Sequence, residues 1–153
     1  MNEEASKAAI VSYVSQHIPA LTSLGAEVVT ATTEEVMITA PLSKNHNDKA
    51  SAFAGSQYLL AIAASWALAY LNALAAGAKE PDLIGAEGSI KYLKPARSET
   101  IVAHAKADEE QMQRFRKAIA RNRPALLNQQ AVIEDEGVAS EFRVKFILPV
   151  ASA

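Results

Sequence analysis

The chain has 153 residues, half of them hydrophobic, and it carries a formal charge of −2 with no cysteine. A chain of this length and composition buries a core without covalent cross-links, so we expect one domain over residues 1–153. The small charge gives no general attraction to nucleic acid, and the lack of cysteine excludes disulfide and thiolate chemistry. The acidic start lacks the basic-then-apolar order of a signal peptide, so we expect a cytoplasmic protein.

The first forty residues predict a helix followed by two strands. Apolar residues recur at four-residue spacing over residues 3–18, which favours a helix that ends at Pro19. β-branched residues then alternate over residues 26–41, and Thr33-Glu34 divides this stretch into the two strands of a hairpin. We expect the helix to cover the sheet.

The stretch over residues 41–77 organises the chain. A polar loop over residues 42–49 leads through a small-residue turn at 50–56 into an apolar run over 58–76. This run is uncharged and nineteen residues long, which is close to the length of a membrane span. It is rich in alanine and no cluster of lysine and arginine flanks it, so we expect a buried core helix that ends at Gly77.

The second half of the chain predicts four strands and one further helix. The strands cover residues 83–92, 100–106, 125–134 and 138–150, and the helix covers residues 108–121. Acidic residues begin this helix and basic residues follow, which suits the helix dipole. The turn Asp135-Glu136-Gly137 joins the last two strands as a hairpin. This order of elements predicts an α+β fold with a largely antiparallel sheet.

Several short motifs fall at the junctions of these elements. They are Ala40-Pro41-Leu42, Asn45-x-Asn47-Asp48-Lys49, Phe53-Ala54-Gly55-Ser56 and Tyr92-Leu93-Lys94-Pro95, with Trp66 inside the long helix. With these motifs the chain resembles the hot-dog fold, in which a curved antiparallel β-sheet wraps around a long central helix. Within that fold it is similar, over nearly its whole length, to the putative thioesterase domain of the YiiD C-terminal type in its stand-alone form.

The resemblance implies an enzyme that acts on acyl thioesters of coenzyme A or acyl carrier protein. Relatives of this type include malonyl-carrier-protein decarboxylases. They typically assemble as homodimers whose active sites lie between the subunits, with a dimer of dimers as the larger alternative. The resemblance implies no cofactor apart from the coenzyme A or phosphopantetheine that belongs to the substrate, and no metal.

Asn47 and Asp48 are the candidate catalytic residues. Thioester hydrolysis needs a carboxylate that attacks the carbonyl or activates water, and it needs donors for the oxyanion. Asp48 would supply the carboxylate, and the carboxamide of Asn47 would hold the carbonyl oxygen or the water. The alternative is that both residues only stabilise the turn that precedes the helix. The resemblance favours the functional role for Asn47 and leaves the two roles of Asp48 evenly balanced.

The start of the long helix is the candidate oxyanion and substrate-binding site. Its members are Phe53, Ala54, Gly55 and Ser56, with His46 and Tyr92 beside them. The first helical N–H groups lack partners within the helix, and the helix dipole places partial positive charge there. A thioester oxygen that develops negative charge would be stabilised at this position, and a glycine lets the ligand approach the backbone closely.

The interior of the long helix departs from the family pattern. Many hot-dog thioesterases carry an acid about two turns into this helix, and several carry histidine where this chain has Phe53. Here residues 57–76 contain no Asp, Glu or His, and we expect Ser65 to bond a backbone carbonyl. Hydrolysis assisted by a general base is therefore in doubt. Thioesterase remains the first hypothesis, malonyl-thioester decarboxylase is the alternative because it needs no protein base, and a non-catalytic acyl-thioester binding module is the third.

The remaining charged residues predict no metal site. His17 and His104 have no partner at ligand spacing, and structural roles are expected for both. Residues 91–123 contain nine Lys or Arg against four acids, an excess that would receive coenzyme A phosphates or the acidic face of acyl carrier protein. A solvated helix face explains the same excess equally well. Nucleic acid and membranes are not expected partners.

Overall fold

The computed structural model describes residues 1–151, and its core is a six-stranded sheet around one long helix. The helices are α1 (Glu3–His17), α2 (Pro19–Ser23), α3 (Ala54–Ala75) and α4 (Glu109–Ala120). The strands are β1 (Glu27–Ala31), β2 (Glu35–Pro41), β3 (Ile84–Tyr92), β4 (Thr100–Lys106), β5 (Ala125–Glu134) and β6 (Val138–Leu148). The strand order is β1-β2-β4-β5-β6-β3, and every neighbouring pair is antiparallel. The α+β prediction with an antiparallel sheet is confirmed.

α3 is the core helix of the fold. It packs against β2, β4, β5 and β6, and Leu60, Ala64 and Leu68 on its inner face are fully buried. The small alanine side chains let the sheet approach the helix axis closely, which dense packing of the interior requires. By length and composition alone α3 could cross a membrane, but 61% of its most apolar window is buried inside the protein. The prediction of a buried core helix is confirmed.

Asn72 is a polar side chain that the core accommodates with three hydrogen bonds. Its Nδ2 donates to the carbonyls of Leu68 and Thr33, each at 2.9 Å, and its Oδ1 accepts from Arg116 at 2.7 Å. These contacts connect α3 to the β1–β2 turn and to α4. A fully buried carboxamide with both ends satisfied costs little, and it fixes the position of α3 relative to its neighbours.

Ser65 differs from its prediction. Its hydroxyl is completely buried, and it has no hydrogen-bond partner among residues 1–151, so the expected bond to a backbone carbonyl is wrong. Ser65 lies between Ala64 and Trp66 in a helix that buries many alanines, and serine is small enough to fill such a position. Its size therefore explains its place here better than its hydrogen-bonding capacity does.

Two further features were not predicted. The first helix ends before Pro19 as expected, but Pro19 then begins α2, a helix of five residues that is too short to produce a periodic pattern. The strand that follows α3 also does not pair with the next strand in the chain. β3 pairs with β6 at one edge of the sheet, and the segment after Tyr92 crosses past two strands to reach β4.

His104 connects three strands on the outer face of the sheet. Its Nδ1 lies 2.7 Å from a carboxylate oxygen of Glu134 on β5, and its Nε2 lies 2.6 Å from one of Glu35 on β2. The His104 side chain is 9% exposed. These contacts give His104 the structural role that its isolated position in the sequence predicts.

Candidate active site

The loop after β2 is anchored by Asn45. This side chain is buried, and its Nδ2 donates to the carbonyls of Leu24 at 2.9 Å and Pro41 at 2.8 Å. The backbone carbonyl of Asn45 accepts the N–H of Phe53 at 2.7 Å. The loop therefore closes on itself immediately before α3, and the residues between Asn45 and Phe53 project from a fixed base.

The carboxamide of Asn47 organises the tip of this loop. Its Oδ1 accepts the N–H of Lys49 at 2.9 Å and the N–H of Ser51 at 3.1 Å, and its Nδ2 donates to the Ser51 hydroxyl at 3.0 Å. This is the turn-stabilising role that the sequence left open as the alternative. A carboxamide carries two N–H donors, and the second has no acceptor among residues 1–151. Asn47 can therefore hold the loop and still donate one hydrogen bond to a ligand.

The Asp48 carboxylate is exposed at the tip of this loop. Its side chain is 83% exposed, and its Oδ1 contacts only the Lys49 ammonium, at 3.1 Å, among the residues that the structure describes. An exposed ion pair of this kind contributes little to stability. The carboxylate is thus accessible to solvent and to a ligand, but no contact with the protein aims it at the start of α3.

The first turn of α3 is uncapped. The N-cap residue is Phe53, whose side chain cannot accept a hydrogen bond, and its backbone is extended with φ −59° and ψ 137°. The N–H groups of Ala54, Gly55 and Ser56 have no acceptor within residues 1–151. Three such donors at the positive end of the helix dipole form a site for an anionic or developing anionic oxygen.

The Phe53 ring and Tyr92 surround this first turn. An added Cβ at Gly55 would lie 2.6 Å from the Phe53 ring, so the absence of a side chain at Gly55 makes room for the ring. The Tyr92 hydroxyl donates to the carbonyl of Ala54 at 2.8 Å and thereby joins β3 to α3. Partial burial, and secondarily the nearby Tyr58, raises the pKa of Tyr92, which keeps the phenol protonated as a donor.

His46 lies on the other side of the loop. It is exposed, and its Nδ1 lies 3.1 Å from the backbone carbonyl of Asn47. A surface cleft of about 590 Å³ opens here, and its lining residues are Leu42, Ser43, His46, Ala50, Glu99 and Thr100. Glu99 brings a second carboxylate to this loop that the sequence did not single out.

The structure therefore groups the predicted residues in two places. Phe53, Ala54, Gly55, Ser56 and Tyr92 meet at the start of α3. Asn47, Asp48 and His46 occupy the loop that precedes it, and only the first has a side chain held by several protein contacts. The roles assigned to all of these residues remain predictions.

Three polar residues near this site were not predicted. Ser51 is the partner of Asn47, and its four-residue spacing from an asparagine in a turn was the available signal. Gln57 and Ser140 form a buried hydrogen bond next to the first turn of α3. Gln57 is the polar residue at the head of an apolar run, but nothing in the sequence indicates its partner 83 positions away.

The family model described as "Putative thioesterase (yiiD_Cterm)" matches residues 7–149. No curated protein matches the chain.

Solved structures share the fold over nearly the whole chain. A protein from Chlorobaculum tepidum, described as of unknown function, is 26% identical with a TM-score of 0.86, covering 96% of this chain and 95% of its own. A putative thioesterase from Shewanella oneidensis is 19% identical with a TM-score of 0.80, covering 95% and 99%. A probable thioesterase from Pseudomonas aeruginosa is 18% identical with a TM-score of 0.75, covering 97% and 95%. The curved antiparallel sheet around α3 is the hot-dog fold, and the chain belongs to the YiiD C-terminal family of putative thioesterases.

Proposed function

We propose that the protein is a thioesterase that hydrolyses acyl thioesters of coenzyme A or of acyl carrier protein. Family membership supports the hydrolase class. One observation carries the location of the site. The start of α3 presents three backbone N–H groups that have no acceptor among the described residues, and the Asn47 loop closes directly onto them. Donors arranged before the reaction stabilise an oxygen on which negative charge develops.

In hydrolysis at this site, backbone N–H groups of α3 and side chains of the preceding loop would have separate roles. A water oxygen attacks the thioester carbonyl carbon, the carbonyl oxygen becomes an oxyanion, and the C–S bond then breaks to release the thiol. The N–H groups of Ala54, Gly55 and Ser56 stabilise the oxyanion, and the second amide hydrogen of Asn47 orients the carbonyl oxygen or the water. Asp48 accepts the proton of the attacking water, which finally passes to the departing thiolate.

Decarboxylation of a malonyl thioester is the second candidate, and a specific observation favours it. α3 contains no acidic side chain, and the Asp48 carboxylate is exposed beside a lysine. In decarboxylation the bond between the α-carbon and the carboxylate breaks, CO₂ leaves, and the electron pair passes to the thioester oxygen as an enolate. Solvent then protonates the α-carbon. This sequence needs donors for the enolate oxygen and no protein base, which is the set of groups that the first turn of α3 provides.

Product analysis distinguishes the two reactions. The wild-type protein is incubated with malonyl-coenzyme A and, separately, with acetyl-coenzyme A, and the products are identified by mass spectrometry. We expect free thiol from at least one thioester if the reaction is hydrolysis. Conversion of malonyl- to acetyl-coenzyme A with the thioester intact would establish decarboxylation in its place. Neither product, from coenzyme A or carrier-protein thioesters, would contradict both and leave a binding module.

Coenzyme A or phosphopantetheine would enter only as part of the substrate, and we propose that its phosphates contact the end of β3 and the segment that follows it. Lys91 is exposed beside Tyr92, which bonds Ala54, and Arg97 is exposed beside Ala96, whose carbonyl accepts the N–H of Ala52 at 2.8 Å. The basic residues of α4 are less available, since Arg114 pairs with Glu110 on the same helix. Exposed cations bind phosphate groups, and they do so whether the phosphate belongs to coenzyme A or to a carrier-bound phosphopantetheine.

We also propose that the protein is a homodimer formed through β3, with a dimer of dimers as a larger alternative. β3 is an edge strand in which every residue except Ile90 is exposed, including Ile84 and Tyr92 at 47% each. An exposed edge with unpaired backbone groups is a template for pairing with another strand. A second copy paired there would lie close to the start of α3, because Tyr92 bonds Ala54.

Light scattering of a charged variant tests this dimer. Ile84→Lys should convert the dimer to a monomer at micromolar concentration, because a lysine on an edge strand disfavours pairing with another strand. Val29→Lys is the matched control, since Val29 is a similarly exposed apolar residue (43%) on the opposite edge strand, β1. A wild-type protein that is already monomeric, or equal dissociation by both variants, would contradict the proposal.

A further inference from the structure

Gln57 and Ser140 form a buried polar pair beside the first turn of α3. Gln57 is 4% exposed and Ser140 is completely buried on β6. The Ser140 hydroxyl donates to Oε1 of Gln57 at 2.6 Å, and Nε2 of Gln57 donates to the backbone carbonyl of Ala52 at 3.0 Å. A buried carboxamide that connects the core sheet to the last loop residue is well placed to fix the loop relative to the helix.

The Ala52 carbonyl is the critical acceptor in this arrangement. In a regular helix extended by one residue it would accept the N–H of Ser56, four residues later. Here it accepts the side chain of Gln57, and the Ser56 N–H has no acceptor among residues 1–151. The Gln57 amide thus occupies the backbone carbonyl that would otherwise compete for one of the three donors at the site.

The loop–helix junction is also held by two backbone contacts. The N–H of Ala52 donates to the carbonyl of Ala96 at 2.8 Å, and the N–H of Phe53 donates to that of Asn45 at 2.7 Å. Gln57 supplies the remaining contact, since the Ala52 carbonyl points inward to its amide. All three hydrogen bonds act on two adjacent residues, so the position of the first N–H groups of α3 depends on them together.

We propose that Gln57 and Ser140 are positioning residues for the reaction of the thioester site, an inference that rests on the proposed function. The pair holds Ala52 against the sheet and keeps the Ser56 N–H, one of the three donors at the site, without a protein acceptor. Neither side chain touches the substrate. Their effect is on the geometry of the oxyanion donors, and displacements of about 1 Å in such groups lower rates by about 10²-fold.

The chain contains a matched control in Gln129. This glutamine is 3% exposed, and its Nε2 also donates to backbone carbonyls, those of Lys106 at 2.8 Å and Gln130 at 2.7 Å. It lies on β5, and none of its hydrogen bonds involves the loop or α3. Gln129→Leu therefore removes an equally buried carboxamide without altering the junction.

The test compares Gln57→Leu, Ser140→Ala and Gln129→Leu by steady-state kinetics and amide hydrogen exchange. We expect kcat of the first two variants to fall by about 10-fold to 100-fold with KM nearly unchanged, because only the transition-state donors are displaced. We also expect faster exchange at the amides of Ala52, Phe53 and Gln57. Gln129→Leu should keep its kcat and the protection of these amides.

Further variants separate positioning from a general loss of stability. Ser140→Ala removes a single oxygen and is expected to fold even if Gln57→Leu does not, and Ser140→Thr should restore kcat because it keeps the hydroxyl. Wild-type kcat in Ser140→Ala, or losses in all three variants that follow their stabilities, would overturn the proposal. A wild-type protein without turnover would refute the proposed function but not the role of the pair at the junction. Unchanged amide exchange at Ala52 and Phe53 in Ser140→Ala would refute that role.

Discussion

Replacing Asn47 with alanine is expected to lower kcat/KM by about 10²- to 10³-fold, the usual cost of one oxyanion donor. The structure gives two reasons for a large effect. The carboxamide accepts the N–H groups of Lys49 and Ser51, so its loss opens the loop. Its second N–H has no acceptor among the described residues and can donate to a ligand. Steady-state kinetics with the productive thioester measures the change.

Two companion variants identify the source of the loss. Ser51→Ala removes the hydroxyl partner of Asn47 but leaves the backbone contacts of its Oδ1, so it should have a smaller effect than Asn47→Ala. Asp48→Ala should abolish hydrolysis if its carboxylate activates water, and it should spare decarboxylation. Wild-type turnover in Asn47→Ala would remove Asn47 from the mechanism, and wild-type hydrolysis in Asp48→Ala would remove the carboxylate.

The elements of this fold could be predicted because their signals are local. The four-residue spacing in α1, the apolar run of α3 and the turn at Asp135-Glu136-Gly137 each define an element within a few residues of its observed bounds. α2 was missed because five residues cannot show periodicity. The position of β3 beside β6 was not specified by the sequence either, since edge pairing depends on how the whole sheet closes around α3.

The candidate site could be predicted only as far as its residues are neighbours in the chain. The loop from Asn45 and the first turn of α3 form one continuous segment, and turn chemistry with helix-terminus electrostatics is enough to single it out. The direction of the Asp48 carboxylate is set by an exposed lysine rather than by any pattern. The hydrogen bond between Gln57 and Ser140 joins positions 83 residues apart, and no local rule anticipates it.

Ser65 is a residue for which a local rule predicted a contact that the structure does not have. A serine in a helix usually bonds the carbonyl four residues earlier, and this local rule predicted its contact. In the structure Ser65 is completely buried in a helix that buries many alanines, and its hydroxyl has no partner among residues 1–151. Packing around α3 therefore overrides the local preference of the side chain.

Phe53→Ser is expected to make the protein more stable and less active than Phe53→Ala. Phe53 is an N-cap residue without a capping side chain, and its extended backbone suits a capping serine. A serine hydroxyl there would accept the N–H of Ser56 and raise the free energy of unfolding by about 1 kcal/mol relative to alanine. The same hydrogen bond would occupy one oxyanion donor, so turnover should fall by about 10²-fold relative to alanine.

The comparison of these two variants tests most directly whether the first turn of α3 is the thioester site. Both variants lose the Phe53 ring, which is 54% exposed, and they differ only in the capping hydroxyl. The measurement is urea unfolding together with steady-state turnover of the productive thioester. Higher stability with lower turnover in Phe53→Ser is the predicted result. Higher stability with turnover equal to that of Phe53→Ala would contradict the account, because the capped Ser56 N–H would then have no part in the reaction.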